Sequence, residues 1–475
     1  MNEPDAEVAV ECDRDVMAKK KQNIDLSDPN LASLILRLAI PSIVGLSINA
    51  VQQAVNAIFV GALGAQAIAA VSMTLPVVVL LTAVGQGIGV GTASFISRHL
   101  GAGEYLEASR GASTALALAA PIGIMFTVLL LLNLRRIFVT LGATPTIMPV
   151  ALDYAATLLF GYTLMLLNIV NGFIVRAEGN TRFSMWTMLT AFILNAVLDP
   201  AFIFLLNLGV RGAALATLVS QIAAISLYIA HFAKLGGIVL VKISYVSLQT
   251  SRIRQIAFIG APATMTGILS ATASMLLYGA AAPFGDDCIA AMGIAVRLLT
   301  IGALPVTGFC MGSQAVLGFG WGARDLPRVW KAAKLMLSIT VALSVAYSAA
   351  VVSFARPLVK LFSDNENVTE IAVLSCIVFH LFFWLFGIES FVTTMLQSFG
   401  RARLSVIVSL ARHGYFFIPA ILVLPVISGF NGLLASQAIA ELGAGMIAII
   451  VMFQQFAELK RALRYATSRP IDIAG

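Results

Sequence analysis

Residues 68–102 read IAAVSMTLPVVVLLTAVGQGIGVGTASFISRHLGA, and residues 289–323 read IAAMGIAVRLLTIGALPVTGFCMGSQAVLGFGWGA. A gap-free shift of 221 positions lays one stretch on the other. Ile68-Ala69-Ala70 falls on Ile289-Ala290-Ala291, Gly87 on Gly308, Gly91 on Gly312, and Gly101-Ala102 on Gly322-Ala323. The same offset carries Pro41 to Pro262, Gly179 to Gly400 and Arg182 to Arg403, so the register holds far beyond the quoted segment. Chance supplies some matches among abundant Ala and Gly, but not one offset over such a distance. The chain is a duplicated unit.

The unit is a membrane bundle. Of the 475 residues, 59% are hydrophobic and 11% charged, with a mean hydropathy of +0.93; soluble domains carry roughly 25% charged residues. Apolar runs lie at roughly 34–60, 68–97, 109–133, 146–175, 184–207, 211–233, 255–282, 288–319, 329–354, 368–397, 404–427 and 430–456, and roughly 20 apolar residues span the hydrocarbon as a helix. Several runs exceed that minimum and contain proline, at Pro41, Pro76, Pro121, Pro200, Pro262, Pro305 and Pro419, which marks expected bends.

These runs predict an all-α integral membrane protein of about twelve transmembrane helices in two six-helix lobes. The divisions are a polar tail over 1–30, a first lobe over 31–235, a linker over 236–252, a second lobe over 253–456 and a basic tail over 457–475. Six crossings per half is an even number, so both halves enter from one side and form a parallel repeat about an axis along the membrane normal. A cleft between the lobes follows.

Orientation follows from the basic residues. With the N-terminus inside, the cytosolic loops hold Arg98, Arg110, Arg176, Arg182, Arg252, Arg254, Arg324, Arg328, Arg401 and Arg403 among others, whereas the outer loops hold only Arg135, Arg136, Arg211, Arg356 and Lys360. Both termini are expected in the cytosol. The first thirty residues carry eight acids and four bases, including Lys19-Lys20-Lys21, with no secretory signal pattern; the first helix is expected to target the chain to the cell inner membrane. The net charge of +7 reports this orientation and not nucleic-acid binding. Cys12, Cys288, Cys310 and Cys376 have no metal or disulfide spacing.

Charges inside the spans are few and expensive: Asp153, Asp199, Glu389 and Glu441, with Arg37, Arg297 and Arg412. Asn195 and Asp199 lie four apart on one helix face, and Pro200 denies its N–H to the carbonyl of Ala196. Carboxylate, amide and carbonyl oxygens suit a proton or a sodium ion; the alternative is that Asp199 caps or pairs near the membrane face. Thr217 follows on the next helix in a run of small residues, where a threonine more commonly bonds its own backbone. Glu389 sits mid-span as a proton carrier or an attractor of cationic substrate, or else pairs structurally with Arg297 or Arg412. His380 and His413 are weaker candidates. The stretch Gly85-Gln86-Gly87-Ile88-Gly89-Val90-Gly91 follows no strand and lacks a Gly-Lys-Ser/Thr, so it is read as close helix packing and not a phosphate loop. No catalytic set is present, so an enzyme is not expected.

Asn195-x-x-x-Asp199-Pro200 followed by Gly209-Val210-Arg211-Gly212-Ala213-Ala214-x-Ala216-Thr217 resembles the multidrug and toxic compound extrusion (MATE) family. Gly308-x-x-x-Gly312-x-Gln314-x-x-x-Gly318-x-x-x-Gly322-Ala323 with Arg328-Val329 is similar to the end of the eighth helix in its bacterial drug-efflux branch, and Phe59-Val60-Gly61 and Ile96-Ser97-Arg98 add weaker matches. The resemblance runs from roughly residue 30 to 456. It implies a secondary antiporter, functional as a monomer, that exports organic cations in exchange for sodium ions or protons, with no cofactor. It also implies a first-lobe coupling set of Asn195, Asp199 and Thr217, joined by a first-helix position where the family commonly has Asp and this chain has Asn56. An amide coordinates a cation but carries neither proton nor charge. Asp199 alone, or Asp199 together with Glu389 and Arg297 in the second lobe, then serves coupling and substrate. The alternative transport reading is a flippase for lipid-linked oligosaccharides.

Overall fold

The computed structural model describes residues 25–468, apart from Leu141 and Gly236. Cys12, the Lys19-Lys20-Lys21 run and Arg469 lie outside the described residues. Everything regular is helical. The first lobe comprises α1 (Leu31–Gly61), α2 (Ala65–Gly101), α3 (Tyr105–Thr140), the pair α4 (Met148–Leu159) and α5 (Tyr162–Ala177), α6 (Thr181–Pro200) and α7 (Gly209–Ala230). A linker with one 3-10 turn at Ile243–Tyr245 leads to the second lobe: α8 (Thr250–Ala281), α9 (Asp286–Gly322), α10 (Leu326–Ser353), the short α11 (Ala355–Lys360), the pair α12 (Glu366–Leu381) and α13 (Trp384–Ser398), α14 (Ala402–Leu410) and α15 (Ile418–Ser468).

Nine of these helical stretches, the last being Ala402–Tyr465, are long and apolar enough to cross a bilayer, and each bent pair adds one more. Gly429, at φ 57° and ψ −135°, is not helical and divides the last stretch into two crossings. The described residues therefore make twelve. The final helix continues to Ser468, into the stretch read as a basic tail. Ile58, Leu132, Leu205, Met275 and Val426 each expose more than two thirds of their surface, a price that lipid removes.

The duplication is visible in the backbone. α4 and α5 meet at 47° around Phe160-Gly161, and α12 and α13 meet at 46° around Phe382-Phe383, within one residue of the repeat. These sharp breaks are not at the prolines: the helix persists through Pro41, Pro76, Pro121, Pro262 and Pro305. Past Pro200 the chain loosens into a π turn at Ala201–Leu205. Gly179 and Gly400 turn the chain after α5 and α13 at φ 94° and 75°, a left-handed conformation open to glycine, and the side chain of Asn180 then caps α6.

The two lobes touch mainly through α2 against α8 and α1 against α9, with α2 also meeting α9. Glycine permits this. A Cβ on Gly91 would lie 2.0 Å from the carbonyl oxygen of Ile256, and one on Gly260 would lie 2.0 Å from that of Gly87. A Cβ on Gly101 would meet the oxygen of Phe319 at 2.0 Å, and one on Gly322 that of Arg98 at 1.9 Å; these two contacts exchange under the repeat. The lobes are thus sealed at the face that carries the chain ends. Ser94 Oγ donates to the carbonyl of Gln397 across the same seal at 2.5 Å, and buried Arg252 bonds Glu107 at 2.7 Å.

The linker is stitched to the first lobe. The amides of Val239, Leu240, Lys242 and Ser247 donate to Glu178, Ser109, Ser113 and Thr114. The segment before α1 does the equivalent for the second lobe, where Arg328 donates to the carbonyls of Leu26 and Ser27. Residues 247 and 26 are one repeat apart, as are 328 and 107.

Candidate functional site

Helical periodicity builds the first-lobe site. Asn195 and Asp199 are one turn apart on α6, both buried, and the Asn195 amide donates to Asp199 Oδ1 at 3.2 Å. Facing them, Gln52 of α1 donates to Asn195 Oδ1 at 3.2 Å, and one turn on from Gln52 stands Asn56. Tyr154 of α4 brings its phenol near the Asn56 amide and close enough to feel the Asp199 charge. Three helices converge on one polar spot inside an apolar lobe.

Two oxygens there have no hydrogen-bond partner: Asp199 Oδ2 and Asn56 Oδ1, both shut off from solvent. Leaving a buried acceptor unsatisfied costs about 1–3 kcal/mol. A hard cation or a proton is what such oxygens lack. No cluster of three or more His, Cys, Asp or Glu side chains suited to a metal occurs among the described residues, so a weakly held ion fits this donor set better than a resident transition metal.

Thr217 stands apart in its bonding. Its Oγ1 donates to the carbonyl of Ala213 at 3.1 Å, the local alternative weighed from sequence. Gln52 and Tyr154 were not singled out from sequence. Gln52 was findable, being four residues before Asn56; nothing in the chain around Tyr154 pointed to it.

The second lobe holds a different cluster. Glu389 on α13 is buried and lies in the field of Arg412 and Glu441. Arg412 sits in the π turn Ala411–Phe417 and donates to Glu441 on α15. Gln437 adds a second donor to the same Glu441 oxygen at 3.1 Å. Arg412 therefore bonds Glu441, and Glu389 feels it only through space. The Arg412 guanidinium also lies 4.7 Å from the centre of the Phe386 ring. His380 and His413 lie within its field, and His380 Nδ1 is 2.8 Å from the Cys376 carbonyl.

Arg297 belongs to neither cluster. It is exposed on α9, near Tyr278 of α8. Asp153 pairs with Arg211 at 2.7 Å, both about half exposed, and Arg37 approaches Asp28 at 3.7 Å; both are surface pairs.

Beyond the glycine seal the lobes part. A cavity of about 310 Å³ lies between α2 and α8, lined by Val79, Thr82, Ala83 and Gln86 on one side and Gly267, Ser270, Ala271 and Ser274 on the other. Neither the first-lobe site nor the Glu389 cluster lines this cavity: Asn195 and Asp199 are buried within one lobe and Glu389 within the other.

A model of the MatE family matches residues 32–201 and 262–423, one segment in each lobe. The multidrug export protein MepA of Staphylococcus aureus (strain MSSA476) is 28% identical over 422 residues, covering 88% of this chain and 93% of that protein. MepA of Staphylococcus saprophyticus is 26% identical over 420 residues with the same coverage. Among solved structures, a MATE protein crystallised with MaL6 superposes with a TM-score of 0.87 at 25% identity, covering 93% of this chain and 99% of that one. The outward-facing conformation of a multidrug resistance MATE transporter superposes at 0.86, also at 25% identity and with the same coverage. Paired segments, twelve crossings and a shared fold along the whole bundle agree: this chain is a multi-pass membrane protein of the MatE family of transporters.

Proposed function

We propose that the chain is a drug or metabolite exporter that works by alternating access, exchanging organic compounds, cations among them, for inward-moving sodium ions or protons. The observation that carries this reading is the pair of unpartnered buried oxygens, Asp199 Oδ2 and Asn56 Oδ1, inside one of the two lobes that flank a cavity. Parallel repeats that rock about such a cleft supply alternating access. The basic residues of the sealed face orient it to the cytosol, so the cleft opens outward, the state in which cargo leaves and the ion enters.

In this mechanism Asp199 takes the ion, with Asn195 and Asn56 as neutral oxygen donors. Neutralising a buried carboxylate removes the cost of holding it charged, and that difference is what the ion contributes to the rocking equilibrium. Asn56, in place of an acid, leaves one negative charge at the site and favours a single monovalent ion. Glu389 shares coupling in a subordinate role. The protein acts as a monomer in the inner membrane, and the basic residues of its loops support a placement with both ends in the cytosol.

Everted vesicles test this reading. Under an imposed sodium or proton gradient, a panel of fluorescent organic dyes is expected to accumulate inside. Vesicles that concentrate none of them under either gradient contradict the proposal.

A further inference from the structure

We infer that Arg297 is a cargo-recognition residue in the inter-lobe cleft, selecting organic compounds that carry a carboxylate; this rests on the transport reading and extends its substrate class. The helical stripe of α9 that meets the first lobe carries Gly308, whose Cβ would touch Ile43, and Gly312, whose Cβ would touch Leu38 and Ala39. Arg297 lies 11 residues before Gly308, about three turns on the same face. Yet it is exposed, because at that level the lobes have parted.

Its neighbour points the same way. Tyr278, in whose field it lies, follows Ser274 by one turn on the face of α8 that lines the cavity. Lipid is the wrong surroundings for this side chain. Arg297 is about 17 Å along α9 from its start, a depth at which a charge facing hydrocarbon costs several kcal/mol. Among the described residues it makes no ion pair.

The rest of the cleft wall makes the charge decisive. No other charged side chain of α1, α2, α8 or α9 lies more than two turns from a helix end. On α1, Asn49 and Gln53 continue the stripe begun by Ser42, 7 and 11 residues on. Thr82, Gln86, Ser270 and Ser274 supply the polar part of the cavity lining, beside the apolar Val79, Ala83, Gly267 and Ala271. The acids, Asp199 and Glu389, are buried within the lobes. Cargo in the cleft therefore meets small apolar groups, neutral amides and hydroxyls and one guanidinium, whose planar fork matches a carboxylate with two donors.

A matched dye pair tests this. Rhodamine B is a zwitterion with a free carboxylate, and its ethyl ester is a cation of nearly the same shape. Binding to the purified protein in detergent is followed by fluorescence anisotropy, and efflux by everted vesicles. Arg297→Gln is expected to weaken rhodamine B binding at least about tenfold and to leave the ester within about twofold, with Arg297→Lys intermediate. Equal losses for both dyes, no loss for either, or a wild type that does not bind rhodamine B overturns the assignment. Arg297-dependent binding with no dye moved under any gradient overturns the transport reading and leaves the assignment standing.

Discussion

Replacing Gly91 with alanine places a methyl group where the seal between the lobes has no room. The added Cβ would sit 2.0 Å from the carbonyl oxygen of Ile256 and 2.9 Å from its carbon. These are backbone atoms, so no rotamer change relieves the clash. The two helices must separate by about 1.4 Å, the gap between that 2.0 Å and the 3.4 Å at which ordinary contact begins. Overpacking of this kind costs about 1–3 kcal/mol, while alanine in a helix returns up to about 1 kcal/mol relative to glycine.

That gain is common to both states and cancels, so a cost of about 1–3 kcal/mol falls on the state with this seal closed and lowers its population relative to the open state about five- to 160-fold. Spin labels at Ala102 and Ala323, exposed residues on the sealed face, report that population by double electron–electron resonance. Gly91→Ala is expected to shift the distance distribution to longer values and to slow dye efflux. Gly279→Ala, with nothing within 4 Å of its Cβ, is the control and is expected to do neither. Distributions and rates for Gly91→Ala that match the control refute the packing argument.

Other expectations concern the coupling site and the seal. Tyr154→Phe removes the hydroxyl beside the Asn56 amide, a polar contact worth about 1 kcal/mol, and is expected to raise the coupling-ion concentration for half-maximal efflux about fivefold; an unchanged ion dependence argues against the tyrosine. Thr217→Val removes a hydroxyl bonded to its own helix, so the same ion dependence is expected to move less than about threefold. A loss comparable to that of Asp199→Asn makes Thr217 a ligand instead. Arg252→Gln breaks the ion pair with Glu107 across the seal. Because Glu107 is partly exposed, the expected cost is about 1–2 kcal/mol, below that of a fully buried pair. Faster maleimide labelling of a cysteine placed at Ala315, in a chain otherwise free of cysteine, checks it, and unchanged labelling contradicts it.

The duplication was legible because close helix crossings in lipid demand small residues at fixed positions. Gly87, Gly91, Gly101 and their partners at 308, 312 and 322 therefore recur in register. The Asn195/Asp199 face was legible for the same reason of geometry, a four-residue spacing on a helix. Tertiary partners were not. Tyr154 comes near Asn56 only because the chain bends at Phe160-Gly161 and seats α4 against α2 and α7, and a bend of 47° there leaves no proline signal. The preference of Arg412 for Glu441 over Glu389 depends on the π turn at Ala411–Phe417, a local underwinding that periodicity does not reveal. Arg297 was visible as a charge within a span, but whether it met lipid, a lobe interior or the cleft depended on where the two lobes part.

The most direct test of the coupling claim is efflux of one dye by the wild type, Asp199→Asn and Glu389→Gln under sodium and proton gradients imposed separately. Asp199→Asn is expected to lose gradient-driven efflux by tenfold or more while Glu389→Gln retains part of it, because the unpartnered oxygen of Asp199 is joined by that of Asn56, whereas Glu389 lies in the field of the cationic Arg412. Wild-type rates from Asp199→Asn under either gradient contradict the account.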